Sequence, residues 1–307
     1  MKKIISVLTV GVLLLFSGCK SKPKAIELNP PFFKVTDEST GAVVYMLGSM
    51  HIGKPDAVYS EELYAALDEC DTLAVEVDIQ ELENNMLEAA QAMSVMLCPF
   101  GTSVKNYMGE DYDKVIEKFR EKGLYNFAYE QYIPDLWSSL WTNQAAIDCG
   151  YDTSCGTDLL MLTYAKEHGK KIDEIETAKE QYQISADTPA EFQMYSLNAT
   201  LDLTQEEMQE QFDTLYNAWG SGDIEALKAL AEEEEGEELT PQIKEYYEKY
   251  YDMMYTARQR KMADYVENKL KSGGKTFVVV GAMHYAAPPS ILDNLAEDGY
   301  TVETLTK

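Results

Sequence analysis

Two apolar, β-branched runs at opposite ends of the chain finish on the same phrase. Val43-Val44-Tyr45-Met46-Leu47 leads into Gly48-Ser49-Met50-His51, and Phe277-Val278-Val279-Val280 leads into Gly281-Ala282-Met283-His284. A short continuous apolar run bounded by glycine reads as a buried strand, and such strands belong to sheets covered by helices on both faces. Each histidine then falls just past a strand's carboxyl end, where open α/β sheets hold their ligands. Two of the chain's three histidines are used this way. The third, His168, stands in Lys166-Glu167-His168-Gly169-Lys170, the polar end of a helix before a glycine, where an imidazole complements the helix dipole.

The segments around the two phrases read alike. Residues 32–35 and 42–47 form a hairpin, with Asp37-Glu38-Ser39-Thr40-Gly41 supplying the turn chemistry. A helix over residues 60–69 and a strand over 72–79 follow, a βαβ-like unit. At the far end a strand at 276–280, a helix at 290–298 and a strand at 300–305 repeat the order. Between them, residues of about 80–270 are mostly helical by pattern, with amphipathic stretches at 81–97, 111–122, 158–168, 204–219, 224–231 and 246–270. The methionines and tyrosines of that last stretch read as core. The fold class is therefore α/β (α+β): a central mixed, largely parallel sheet built from two βαβ-like units, with a large helical insert between them. The closure that brings both strands into one sheet with their carboxyl ends together turns both histidines toward one crevice.

The first residues differ in kind. Lys2 and Lys3 precede an apolar run over residues 4–16 that closes on Ser17-Gly18-Cys19, the layout of a secretory leader. The run is shorter than the roughly 20 apolar residues a spanning helix needs. Leu15-Phe16-Ser17-Gly18-Cys19 resembles a bacterial lipobox, which implies cleavage of residues 1–18, lipidation of Cys19 and anchoring on the extracytoplasmic face of the cell membrane. An ordinary cleaved leader is the alternative. Residues 19–31 then read as a tether, and 32–307 as a single catalytic domain. Loss of Lys2 and Lys3 takes the formal charge from −27 to −29. Nucleic-acid binding needs clustered Lys and Arg, so no nucleic-acid partner is expected. The acidic run 232–238 reads as a solvated helix end or loop. Outside the cytoplasm Cys70, Cys98, Cys149 and Cys155 have two fates open, pairing (Cys149 with Cys155 as the short loop) or free buried thiols.

Chemistry is carried by few residues. In the strand read over 72–79, Ala74, Glu76 and Asp78 share one face. A carboxylate inside a covered sheet must find a cation, a metal or a proton. Two imidazoles and a carboxylate, His51, His284 and Glu76, make a three-ligand set for a divalent ion with open positions for water and substrate. The same residues also suit metal-free catalysis with a histidine base. Arg258 lies on the helix that leads to the last sheet unit; an ion pair is its default state in so acidic a chain, and steadying a substrate carboxylate or oxyanion its functional one.

The phrases Tyr45-Met46-Leu47-Gly48-Ser49-Met50-His51-Ile52-Gly53, Leu73-Ala74-Val75-Glu76-Val77-Asp78 and Val278-Val279-Val280-Gly281-Ala282-Met283-His284 resemble the TraB/PrgY/GumN family, which includes the Tiki proteases. Gly156-Thr157-Asp158-Leu159-Leu160, Ile175-Glu176-Thr177 with Gln181, Trp219 with Gly222-Asp223, and Arg258 with Met262-Ala263 follow in the family's order. The resemblance implies a membrane-anchored, extracytoplasmic metal-dependent hydrolase, a peptidase acting on a peptide or protein. His51, Glu76 and His284 would bind a divalent ion (Mn, Co or Zn) and Arg258 would support catalysis. Two departures stand out: Gln259 follows Arg258 where asparagine is common, and Ala286-Ala287-Pro288-Pro289 replaces a glycine-containing loop, which bears on the substrate pocket. Related layouts keep two alternatives, an erythromycin-esterase-like hydrolase without metal and a non-catalytic lipoprotein that binds peptide, haem or metal.

Overall fold

The apolar runs do form the centre of a sheet. A computed structural model describes residues 26–233 and 239–306. The leader, Cys19 and residues 234–238 of the acidic run lie outside the described residues. The strands are β1 (Ile26–Leu28), β2 (Phe32–Asp37), β3 (Ala42–Ser49), β4 (Ala57–Tyr59), β5 (Thr72–Val75), β6 (Lys171–Glu174), β7 (Lys275–Gly281) and β8 (Val302–Thr304). Six of them form one sheet in the order β6-β5-β7-β3-β2-β8, and β1 pairs with β4 in a small second sheet. From β6 to β3 the neighbours are parallel; β2 runs antiparallel to β3 and to β8.

Alternation along the central strands explains why both faces are dry. Tyr45, Leu47, Phe277 and Val279 enter the larger core, beneath the helix Glu61–Asp68 and the insert. Val44, Met46, Val278 and Val280 enter a second core, against Met262, Ala263, Val266 and Leu270 of the helix Ala257–Ser272. The β2–β3 turn forms as its residues dictate. The Asp37 carboxylate accepts from the backbone N–H groups of Ser39 and Thr40 and from the Ser39 hydroxyl, and Gly41 takes φ 73°.

Several expectations are corrected. The strand read over 72–79 stops at Val75, because the Asp78 carboxylate turns to cap the helix Ile79–Asn84 by accepting from the Glu81 N–H. The helix read over 81–97 breaks at Asn85, whose side chain caps a new helix, Met86–Met93. The insert is mostly helical, but one strand with no expectation attached to it, β6, lies inside it and extends the sheet beside β5. The first unit is not a bare βαβ, for β7 lies between β3 and β5. The tether ends before residue 31, because Leu28 is buried beside Gly220 and Asn29 donates to the Gly220 carbonyl. The long helix read over 246–270 is the helix Pro241–Tyr251, a π-helical turn Asp252–Thr256, and the helix Ala257–Ser272. The four described cysteines, Cys70, Cys98, Cys149 and Cys155, are free thiols. No helix among the described residues is long and apolar enough to cross a membrane.

Candidate active site

The register of β3 on β7 sets Ser49 opposite Gly281, so both Gly-x-x-His phrases leave the sheet at the same edge. The backbones approach closely where they meet. A methyl group at Gly48 would lie 3.1 Å from the Ala282 Cα and 3.2 Å from Pro31 Cβ, and the Gly48 carbonyl accepts from Trp219 Nε1 at 2.8 Å.

The loop after β3 is locked against the start of the helix Thr157–Glu167. Thr157 N–H donates to the Met50 carbonyl, its Oγ1 accepts from the Met50 N–H, and Gly53 and Asp152 exchange backbone hydrogen bonds. This brings Asp158 Oδ2 to 2.7 Å from His51 Nδ1. Since a carboxylate only accepts, the ring proton is on Nδ1 and, in the neutral ring, the lone pair is on Nε2. Asp158 pulls the His51 pKa up to about 9 against the opposing effect of burial, in a side chain 40% exposed. Replacing Asp158 with Asn is therefore expected to bring the His51 titration midpoint down from about 9 toward 6.5, followed by its Cε1–H NMR signal.

Gly156 sits under this loop. A methyl group there would stand 2.5 Å from the His51 carbonyl oxygen. Gly156→Ala is expected to shift the loop, to cost about 1–3 kcal/mol in chemical denaturation, and to lower the His51 midpoint as the Asp158 bond lengthens.

Glu76 follows the last residue of β5. Its Oε1 accepts from the Gly281 N–H at 2.6 Å; its Oε2 accepts from Arg258 Nη2 at 2.6 Å and Gln181 Nε2 at 2.9 Å. Burial pushes its pKa up, but Arg258 first, then His284, His51 and the Gly281 N–H, hold it at about 2. Glu176 lies two residues past the end of β6, and its N–H donates to the Glu76 carbonyl. The Arg258 fork bridges the two carboxylates: Nε and Nη2 go to Glu176, Nη2 also to Glu76, and Nη1 to the carbonyl and Sδ of Met254. With five N–H groups to give, Arg258 has none left over for an oxyanion in this arrangement.

His284 stands in the short helix Met283–Ala286 rather than in an open loop, and is only 5% exposed. Its Nε2 is 3.9 Å from Glu76 Oε1, its ring meets Tyr255 edge-on, and its Nδ1 has no hydrogen-bond partner among the described residues. Burial first, then Arg258, pushes its pKa down to about 3, so it is neutral. His51, Glu76, Arg258 and His284 all line one cavity. His168 lies elsewhere, at the end of its helix, with Nδ1 on the Tyr164 carbonyl. The two departures from the family pattern touch each other: buried Gln259 donates to the Ala287 carbonyl.

The residues fit a divalent cation in part. His51, tied at Nδ1 by a carboxylate, has the usual form of a metal-ligating histidine, and His284 is neutral with an unpartnered ring nitrogen. Glu76 fits less well, both its oxygens being engaged. Among the described residues no three His, Cys, Asp or Glu side chains are grouped so as to hold a metal.

Asp158, Glu176 and Gln181 were not singled out as site residues from sequence. Asp158 was signalled only by the Gly-Thr-Asp phrase that opens its helix, and Glu176 by following an apolar residue at a strand end, as Glu76 does.

A largely parallel sheet with paired histidine loops and a buried carboxylate–arginine cluster at its strand ends thus defines the architecture. Residues 31–304 match the TraB/PrgY/gumN family, and the chain belongs to that family. No curated protein and no solved structure significantly matches it.

Proposed function

We propose that the protein is an extracytoplasmic hydrolase acting on peptides, with the cavity between the two histidine loops as its active site. The observation behind this reading is that His51, Glu76 and His284 come to one cavity from the ends of three neighbouring parallel strands. Asp158 orients the His51 ring and leaves Nε2 for chemistry. Arg258 acts as a positioning residue that holds Glu76 ionised. A divalent ion (manganese, cobalt or zinc) belongs to the reading: His51 and His284 would hold it, and when bound it supplies an activated water and polarises the carbonyl under attack. Because the ligating imidazole must be neutral, binding at pH 7 is expected to release about one proton from His51, read by calorimetry in buffers of different ionisation enthalpy.

One observation favours a second reading. Both Glu76 oxygens are already engaged, which favours the metal-free, esterase-like alternative, in which His51 serves as general base once it has lost its Nε2 proton, so that activity should rise toward pH 9. In either case the same proposal anchors the mature chain to the cell membrane through a lipid on Cys19, and Cys19→Ala should release it into the soluble fraction.

The test is hydrolysis of a peptide library by the wild type and by His51→Ala and His284→Ala, beside metal analysis. Turnover should fall by about 10²–10⁴-fold in each variant with the fold retained, and stoichiometric metal should be lost from the double variant. Wild-type-like hydrolysis by either variant sinks the assignment. Activity that survives thorough chelation selects the metal-free reading, and a peptide recovered bound but uncleaved selects a binding lipoprotein.

A further inference from the structure

The cavity has a composition that the two histidines and Glu76 do not explain. Its volume is about 100 Å³, and most of its wall is apolar: Met50, Leu215, Trp219, Leu227, Met254 and Met283. An apolar cavity of about 150 Å³ takes a benzene ring. This one therefore suits an aliphatic or thioether side chain of about four heavy atoms, and it is too small for an indole. A carboxylate would meet no free counter-charge, because Arg258 is spent on Glu76, Glu176 and Met254, His51 is paired with Asp158, and Glu76 adds a negative charge to the same wall.

We propose that this cavity is the specificity pocket for the residue beside the scissile bond. It selects leucine, isoleucine, valine or methionine. The inference rests on the peptidase reading for its place in a reaction, but the pocket's selectivity can be measured by binding alone.

The full chain is prepared with labelled methionine methyls, assigned by single Met→Leu substitutions, and titrated with the N-acetyl N-methylamides of leucine, aspartate and tryptophan. The leucine probe should shift the Met50, Met254 and Met283 methyls to saturation, and the other two should bind at least about tenfold more weakly, as expected for loss of one buried aliphatic side chain. Leu215→Phe, at a half-buried wall position, should weaken the leucine probe about tenfold by filling the space. Equal binding of the three probes, tightest binding of the aspartate probe, or indifference to Leu215→Phe would overturn the proposal. Peptide cleavage without aliphatic preference would also overturn it. Selective binding with no cleavage of any leucine-containing peptide would uphold the pocket and count against the hydrolase.

Discussion

Replacing Arg258 with alanine is expected to cost about 3–5 kcal/mol of stability, because it strips the bridging guanidinium from a pair of buried carboxylates. Glu76 and Glu176 have side chains 10% and 3% exposed, and Arg258 bridges them with contacts of 2.6 and 2.7 Å. Without it, Gln181 and the Gly281 N–H would be left to hold two negative charges away from water. One carboxylate would have to take up a proton, and the loss should shrink as pH falls. Arg258→Lys should recover only part, since a single ammonium has no planar fork to span both partners. Glu176→Gln should destabilise the wild type yet partly rescue Arg258→Ala, because it removes the charge left unpaired. Urea unfolding of the four proteins gives the coupling directly. Strictly additive losses would mean that the bridge contributes nothing of its own.

This cluster also marks where sequence reading reached its limit. The strands carrying His51 and His284 were legible because both of their faces are buried, so the apolar run is unbroken, and β3 and β7 lie side by side as expected. The β2–β3 hairpin and the helix Glu61–Asp68 were legible for a local reason: Asp37, Gly41 and Ser60 each do their work within four residues. β6 was hidden because its Lys-Ile-Asp-Glu sequence forms a half-wet edge with no apolar alternation. Once β6 was missed, Glu176 could not be placed at the sheet's carboxyl edge, and the partner that fixes Arg258 was lost with it. An ion pair was the default expected of that arginine. Its identity needed contacts spanning 82 and 182 residues, which no local pattern encodes. The same holds for Asp158, which meets His51 across 107 residues.

The metal-free protein is expected to be most stable near pH 6.5 and to lose stability steeply in acid. His284 titrates near 3 when folded and near 6.5 when unfolded. Between those values the unfolded chain holds a proton that the folded one refuses, so stability falls as pH falls. Glu76 acts in the same sense over a lower window. Its folded pKa is about 2 against an ordinary 4.5, so the stability it contributes is present above 4.5 and lost as pH falls toward 2. Below 4.5 the two losses act in the same direction, so the acid limb should be steepest there. His51 has the opposite sign. Its pKa is raised from 6.5 to about 9, so its pairing with Asp158 is fully present below 6.5 and fades as pH rises through 9. That side chain is 40% exposed and its pair partly screened by water, so the alkaline limb should be much the shallower. Urea midpoints measured from pH 4 to 10 test the shape. His284→Gln should flatten the limb between 6.5 and 4.5, where Glu76 does not yet titrate, and Asp158→Asn should flatten the alkaline one. A limb between 6.5 and 4.5 that His284→Gln leaves unchanged would mean that His284 is not the buried neutral base its surroundings require.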